Sequence, residues 1–199
     1  MMYFSATVFA LVGFKSPTLT SLTVAVTNFI FTLAALVLID RIGRRRILLS
    51  SIPFMILGLL LAAGGFTLLH PIDPDPSNPS DSNTLPALLI LASIMLYVAS
   101  YALGLGNVPW MQSELFPLSV RSWGSGIATA TNWGGNFVVG LTFLGLMEWM
   151  GKGWAFVVYA GVCALGWVVV WRIYPETKGL TLEEARGLLE DGWGVRRNG

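Results

Sequence analysis

The sequence predicts an all-α protein embedded in a membrane, and three observations predict it. Of 199 residues, 54% are hydrophobic and only 12% charged, where a soluble domain of this length would carry roughly a quarter charged residues. The apolar residues are gathered into charge-free blocks: Thr18 to Ile39, Ile47 to Leu69, Leu85 up to Glu114, Ser122 to Met147 and Trp154 to Trp171. A hydrocarbon core takes about 20 residues of helix, within a range of roughly 17–25, and all five blocks reach that length. The basic residues also segregate. Alternating connections put Arg41, Arg44, Arg45, Arg46, Arg121, Arg172, Lys178, Arg186, Arg196 and Arg197 on one side, and Lys15 and Lys152 on the other. Excess Lys and Arg marks the cytosolic side, so residues 40–46 and the C-terminal tail are expected there.

Taken in order, the expected helices are 1–14, 17–39, 47–69, 86–111, 122–147 and 154–174, followed by a cytosolic tail over 175–199. The first, Met1 to Phe14, is too short to span, and neither a basic leader nor a small-residue cleavage site marks it as a signal peptide. It reads as the end of a spanning helix that begins outside the chain, and the chain as a fragment. Pro17 suits a helix start, where its missing N–H is not needed. The second helix carries Asn28 about midway, either a bond to a neighbouring helix or a ligand contact. Next, Asp40-Arg41-Ile42-Gly43-Arg44-Arg45-Arg46 is read as a tight basic connection in which Gly43 permits the turn. The connection from Pro71 to Pro86, rich in Pro, Ser and Asp, carries no chemistry and is expected to be solvated and extended.

The fourth helix loses continuity at Gly104, Gly106 and Pro109, just before Trp110, Glu114 and Arg121. Such interruptions free backbone groups that lipid cannot satisfy, so they mark cavities more often than lipid-facing wall. The fifth helix has two readable faces. Ser122, Gly126, Ala130 and Gly134 fall four apart, a ladder of small residues suited to close helix contact. Thr129, Asn132, Trp133 and Asn136 share an adjoining face. Two Asn and a Trp in one stripe are expensive in lipid unless they meet protein or a wet cavity, and the cavity is the expectation. After the last helix, Thr181 and Glu184 fit a capping box, and Leu182, Ala185, Leu188 and Leu189 an apolar stripe, of a short helix lying on the membrane.

Several classes drop out. Cys163 is the only cysteine, so no intrachain disulfide can form. His70 sits at an outer helix end, and no His, Cys or carboxylate cluster has metal-ligand spacing, so neither a metal nor another cofactor is expected. No nucleophile elbow, phosphate loop or dinucleotide fingerprint occurs, which argues against an enzyme. No nucleic-acid partner is expected. The partner read from composition is a bilayer.

Four motifs then agree in order: D-R-I-G-R-R at Asp40 to Arg45, P-W-x-x-S-E-L-F-P-x-x-x-R at Pro109 to Arg121, N-W-x-x-N-F at Asn132 to Phe137, and P-E-T-K-G at Pro175 to Gly179. Together they resemble the C-terminal six-helix half of a sugar porter of the major facilitator superfamily, and the wording around Trp110 and Asn132 is most similar to fungal myo-inositol transporters. The resemblance implies alternating-access transport of a sugar or polyol across the plasma membrane, proton-coupled in the full-length protein. By the same resemblance Asn28, Trp110, Asn132, Trp133 and Asn136 match substrate-site positions, and Tyr3 and Phe4 match an aromatic outer gate. Asp40, Arg41, Arg44, Arg45, Glu114, Arg121 and Glu176 match a cytosolic charge network. The chain departs from the family in lacking the Q-Q-x-S-G-x-N run before Tyr3 and in having one residue fewer between Trp110 and Glu114 than many members. An N-terminal six-helix half is the partner the resemblance implies. A non-transporting nutrient sensor of the same fold, or an inactive fragment, remain as alternatives.

Overall fold

The computed structural model describes residues 17–68, 84–107, 116 and 119–174. The expected first helix, the connection after residue 68, the segment around Trp110 and Glu114, and the tail from residue 175 lie outside the described residues. Five α-helices follow one another: α1 Pro17–Ile42, α2 Arg44–Leu68, α3 Thr84–Leu103, α4 Arg121–Trp149 and α5 Lys152–Ile173, with a 3₁₀ turn at Leu105–Asn107 between α3 and α4. The shortest, α3, has 20 residues and the longest, α4, has 29. At 1.5 Å per residue even α3 reaches about 30 Å, the thickness of a hydrocarbon core. By length and composition α1, α2, α3 and α5 are apolar enough to cross a membrane. Helix α4 is long enough, but its glycines, threonines and asparagines lower its hydropathy below that of the other four.

The centre of the bundle is α2, held between α3 on one side and α5 on the other, while α1 packs on α3. Because lipid is as apolar as a leucine side chain, helices in a bilayer associate through close packing rather than through expulsion of water. The sequence of α2 supplies that packing. Ser51, Met55, Gly58, Leu59, Ala62, Ala63, Gly65 and Phe66 are buried at helical spacing on two faces. A Cβ on Gly58 would lie 2.9 Å from the backbone oxygen of Ser93 and 3.1 Å from the backbone nitrogen of Tyr97, so α2 and α3 meet backbone to backbone there. On the other face an aromatic knot joins three helices. Phe66 of α2 stacks on Phe156 of α5 with ring centroids 5.2 Å apart. Phe143 of α4 meets Phe156 edge-on at 5.9 Å and Tyr159 at 5.9 Å. The Tyr159 hydroxyl and Thr142 Oγ1 close the knot with a 3.0 Å hydrogen bond.

The basic connection expected to span 40–46 is reduced to one residue. Asp40 to Ile42 still belong to α1, and Arg44 already starts α2. Gly43 adopts φ 104°, which an L side chain rarely tolerates. It turns the chain without interrupting the hydrogen-bond ladder, since its N–H donates to Ile39 at 3.1 Å and its carbonyl accepts from Ile47 at 3.2 Å. Where α3 was expected to run on toward residue 111, it stops at Leu103. The N–H of Gly104 makes a last bond to Ser100 at 3.2 Å, and the tighter 3₁₀ turn follows.

Candidate functional site

The polar side chains expected to meet a solute lie on two helices. On α4, Thr129, Asn132, Trp133 and Asn136 are all exposed, as are the residues between them. Only Phe143 and Met147, near the far end of α4, are buried, and α5 is the one helix against which α4 packs substantially among the described elements. The first two-thirds of α4 therefore stand free of the other described helices. Asn136 Nδ2 donates to the backbone oxygen of Asn132 at 3.1 Å, one turn back. Among the described residues the Asn132 amide and the Trp133 indole nitrogen have no hydrogen-bond partner, and Trp133 is 59% exposed. The Asn132 amide and the Trp133 indole are thus available to something the described residues do not supply.

The small-residue ladder shows the same vacancy. A Cβ on Gly126 or Gly134 would have no neighbour within 4 Å. An open groove of about 400 Å³ runs past Ser122, Trp123, Gly126, Ile127 and Ala130 instead. The close helix contact read from this ladder is not made by any described helix. At the start of α4 the chain folds back on itself: Phe116 lies over Gly124, and Arg121 Nε donates to the Phe116 carbonyl at 3.4 Å.

On α1, Asn28 is half-buried, and its side-chain amide has no partner among the described residues. Its backbone carbonyl accepts the Thr32 hydroxyl at 2.7 Å. The adjacent Thr27 reaches Met95 Sδ of α3 at 3.7 Å, so Asn28 sits beside the α1–α3 seam. Helices α1 and α4 make no substantial contact with each other. Asn28 and the α4 stripe are therefore separate polar patches, not one hydrogen-bonded cluster.

Of the expected charge network, Arg41 and Arg46 are exposed, while Arg44, Arg45 and Arg121 are half-buried. Arg45 Nη2 donates to the backbone oxygen of Trp171 at 2.9 Å, and Arg45 Nε is buried with no partner. A cation at this position suits the end of α5, whose last carbonyls lack intrahelical donors and carry partial negative charge. Tyr3, Phe4, Trp110, Glu114 and Glu176 lie outside the described residues, as does the side chain of Asp40. Among the described residues no group of His, Cys, Asp or Glu could hold a metal.

One functional feature escaped the sequence reading. Pro53 lies inside α2 and cannot offer an N–H to the carbonyl of Leu49. That carbonyl is taken by the indole nitrogen of Trp167 on α5, at 3.0 Å. A proline in the middle of a charge-free block was the available signal; the partner on α5 had none.

Among the described residues, the groups expected at the site are neutral carboxamides and an indole, chemistry suited to hydrogen bonding with a neutral solute. Comparison with known proteins agrees. The chain is 46% identical over all of its length to a protein called myo-inositol transporter 1 from Cryptococcus neoformans var. grubii, of which it covers 35%. It is 44% identical to myo-inositol transporter 2 of Schizosaccharomyces pombe, over 96% of this chain and 33% of that protein. The chain spans about a third of the length of these relatives. In fold it is similar to the major facilitator proton:xylose symporter XylE bound to 6-bromo-6-deoxy-D-glucose, with a TM-score of 0.78 at 28% identity, covering 94% of this chain and 38% of that one. The inward-open form of XylE from E. coli superposes with a TM-score of 0.71 at 26% identity, over 94% of this chain and 41% of that one. The model of the family described as sugar (and other) transporter matches residues 1–189. The chain is an all-helical membrane protein that belongs to the sugar (and other) transporter family.

Proposed function

We propose that this chain forms one half of an alternating-access carrier for a polyol, with myo-inositol as its substrate. The observation that carries the reading is the stripe of Asn132, Trp133 and Asn136 on a helix that the described bundle leaves uncovered. Two carboxamides and an indole are costly in lipid, and they match the needs of a polyol, which offers many hydroxyls around an apolar ring face. Asn28 and Trp110 add an amide and an indole, and Tyr3 with Phe4 forms the outer gate. The names of the relatives support myo-inositol over a hexose.

In this reading residues 1–174 are the membrane half and 175–199 a cytosolic tail, with the Arg44 end of the bundle facing the cytosol at the plasma membrane. Asp40 and Glu148 are the only acids in the described helices, and each lies in the last turn of its helix. In this reading a carboxylate that carries a coupled proton is supplied by the other half of the carrier. Substrate sites in such folds lie between two halves that rock against each other, so the 199-residue chain alone does not transport.

The test replaces the matching third of the Cryptococcus relative with this chain and measures uptake of labelled myo-inositol. Saturable uptake by the chimera, with none by the 199-residue chain alone in liposomes, is the expected result. A chimera that inserts normally but takes up no myo-inositol overturns the substrate. Uptake by the chain alone overturns the half-carrier reading.

A further inference from the structure

Three consecutive carbonyls in α2 receive side-chain donors rather than relying on the helix ladder alone. Ser50 Oγ donates to Ile47 at 3.0 Å, Ser51 Oγ donates to Leu48 at 3.0 Å, and Trp167 Nε1 donates to Leu49 at 3.0 Å. Serine hydroxyls bonded back to the preceding turn weaken and bend helices, and Pro53 removes a ladder bond and crowds the carbonyl four residues back. This turn of α2 is thus weakened twice over. Ser51, in the same turn, lies against Gly104, where α3 ends; a Cβ on Gly104 would overlap the Ser51 hydroxyl and lie 2.7 Å from Ser51 Cβ. In α5, Gly166 directly precedes Trp167 and has no neighbour within 4 Å of a Cβ placed there. Glycine in a helix interior loosens it. Helices α2 and α5 thus have weak points at one level, where α3 ends against Ser51.

The two sides of that level differ. Away from the Arg44 end, α2 is clamped by the Gly58 contact with Ser93 and Tyr97 and by the Phe66–Phe156 stack. Toward the Arg44 end, α2 and α5 are tied by two reciprocal bonds. Trp167 donates to Leu49, and Arg45 donates to Trp171. Residues 45 and 49 are one turn apart on α2, as are 167 and 171 on α5, and the two indoles stack nearly parallel with centroids 6.4 Å apart. We propose that the Ser50–Pro53 turn and Gly166 form a shared flexion layer, about which the Arg44 end of α2 tilts as one piece with the last turns of α5. The clamped remainder stays fixed. The inference concerns motion within this bundle and does not depend on what the carrier moves.

Spin-label distances in bilayer nanodiscs test it on the full 199-residue chain, in a Cys163→Ser background. Labels at the exposed Arg46 and Arg172 report whether the two helix ends move together, and labels at Arg46 and the exposed Leu60 span the layer. Expected are a narrow 46–172 distribution and a broad 46–60 distribution. Pro53→Ala should narrow the 46–60 distribution, and Ser50→Ala, on the surface of α2, should narrow it in the same direction. Trp167→Phe should broaden 46–172, and Arg45→Met does the same if the Trp167 variant fails to insert. A 46–60 width that neither Pro53→Ala nor Ser50→Ala narrows removes the hinge. A 46–172 width unchanged by breaking either tie shows that the two ends are not one piece. Either result overturns the proposal.

Discussion

The indole nitrogen of Trp167 donates to the carbonyl of Leu49 at 3.0 Å, and Pro53 is the reason that carbonyl is available. In lipid no water can take over a freed backbone oxygen, so a proline in a spanning helix needs a donor from a neighbour. Trp167→Phe keeps the ring and its packing but removes that donor. We expect it to destabilise the chain by about 0.5–1.5 kcal/mol, the usual worth of one such bond. With Pro53→Ala in place, residue 53 supplies its own N–H and the loss should largely vanish. A double-mutant cycle of unfolding in mixed micelles measures this, and equal losses in both backgrounds would show that the bond does not compensate for the proline.

Two glycines of α2 make a matched pair. A Cβ at Gly58 meets the backbone of Ser93 and Tyr97, which no rotamer change can move, whereas a Cβ at Gly64 meets nothing within 4 Å. Gly58→Ala should therefore part α2 from α3 and cost about 1–3 kcal/mol. Gly64→Ala should be neutral or stabilise by up to about 1 kcal/mol, because alanine favours the helix. Thermal unfolding of the two variants side by side checks it; similar melting points would mean the close approach is slack.

Phe143 is the main apolar anchor of α4. It is 1% exposed, lies between Phe156 and Tyr159, and precedes the rest of α4's buried surface by one turn. Phe143→Ala should release α4 while leaving α1, α2, α3 and α5 assembled. Because lipid refills part of the space, the cost should be about 1–3 kcal/mol, below that of a water-exposed core. Proteolysis or amide exchange localised to α4, with α2 still protected, is the expected readout. Uniform loss of protection would mean that α4 supports the whole bundle.

How much of this was legible in the sequence follows from what each feature depends on. Charge-free length alone marks α2 or α5, because a bilayer imposes it on any spanning helix. The stripe of Asn132, Trp133 and Asn136 was equally readable, since helical spacing puts those positions on one face whatever surrounds them. The ladder at Gly126 and Gly134 was not: small residues permit a contact without supplying the partner. Gly43 was read as a turn, but its positive φ compresses a seven-residue connection into a single residue, and sequence spacing does not encode that. The Trp167–Leu49 and Arg45–Trp171 bonds join residues far apart in the chain through backbone oxygens. Backbone acceptors have no sequence signature.

For the proposed polyol site, Asn132→Ala, Trp133→Ala and Asn28→Ala each remove a group that lacks a described partner. In the chimera with the Cryptococcus relative, each should weaken myo-inositol binding by about 1–3 kcal/mol, as expected when a buried hydroxyl loses its partner. Insertion should be unchanged, because all three lie outside the packed core. Calorimetric binding to detergent-solubilised chimeras measures it. Unaltered affinity would return that residue to helix packing.

The last prediction concerns Arg45. One of its nitrogens, Nη2, is held by the Trp171 carbonyl, while Nε is buried and unpaired. A guanidinium offers donors along more than one edge, so Arg45 can cap α5 and bind a carboxylate at once, whereas a lysine ammonium cannot match that planar geometry. In the proposed carrier, Glu114 and Glu176 are the candidate carboxylates for this end of the bundle. A solvated pair is worth only about 0–1 kcal/mol, too little to hold a carrier closed. With its Nε shielded from water, Arg45 can contribute more. In the chimera, Glu114→Gln should shift the carrier toward its inward-open state by about 1–3 kcal/mol, the scale of ordinary conformational coupling. Arg45→Lys should do the same and also loosen the end of α5, which Glu114→Gln should not. Spin-label distances across the inner face, with and without myo-inositol, read both effects. If Glu114→Gln leaves the inward-open population unchanged while Arg45→Lys still loosens α5, then Arg45 is a helix cap only and the charges merely orient the bundle.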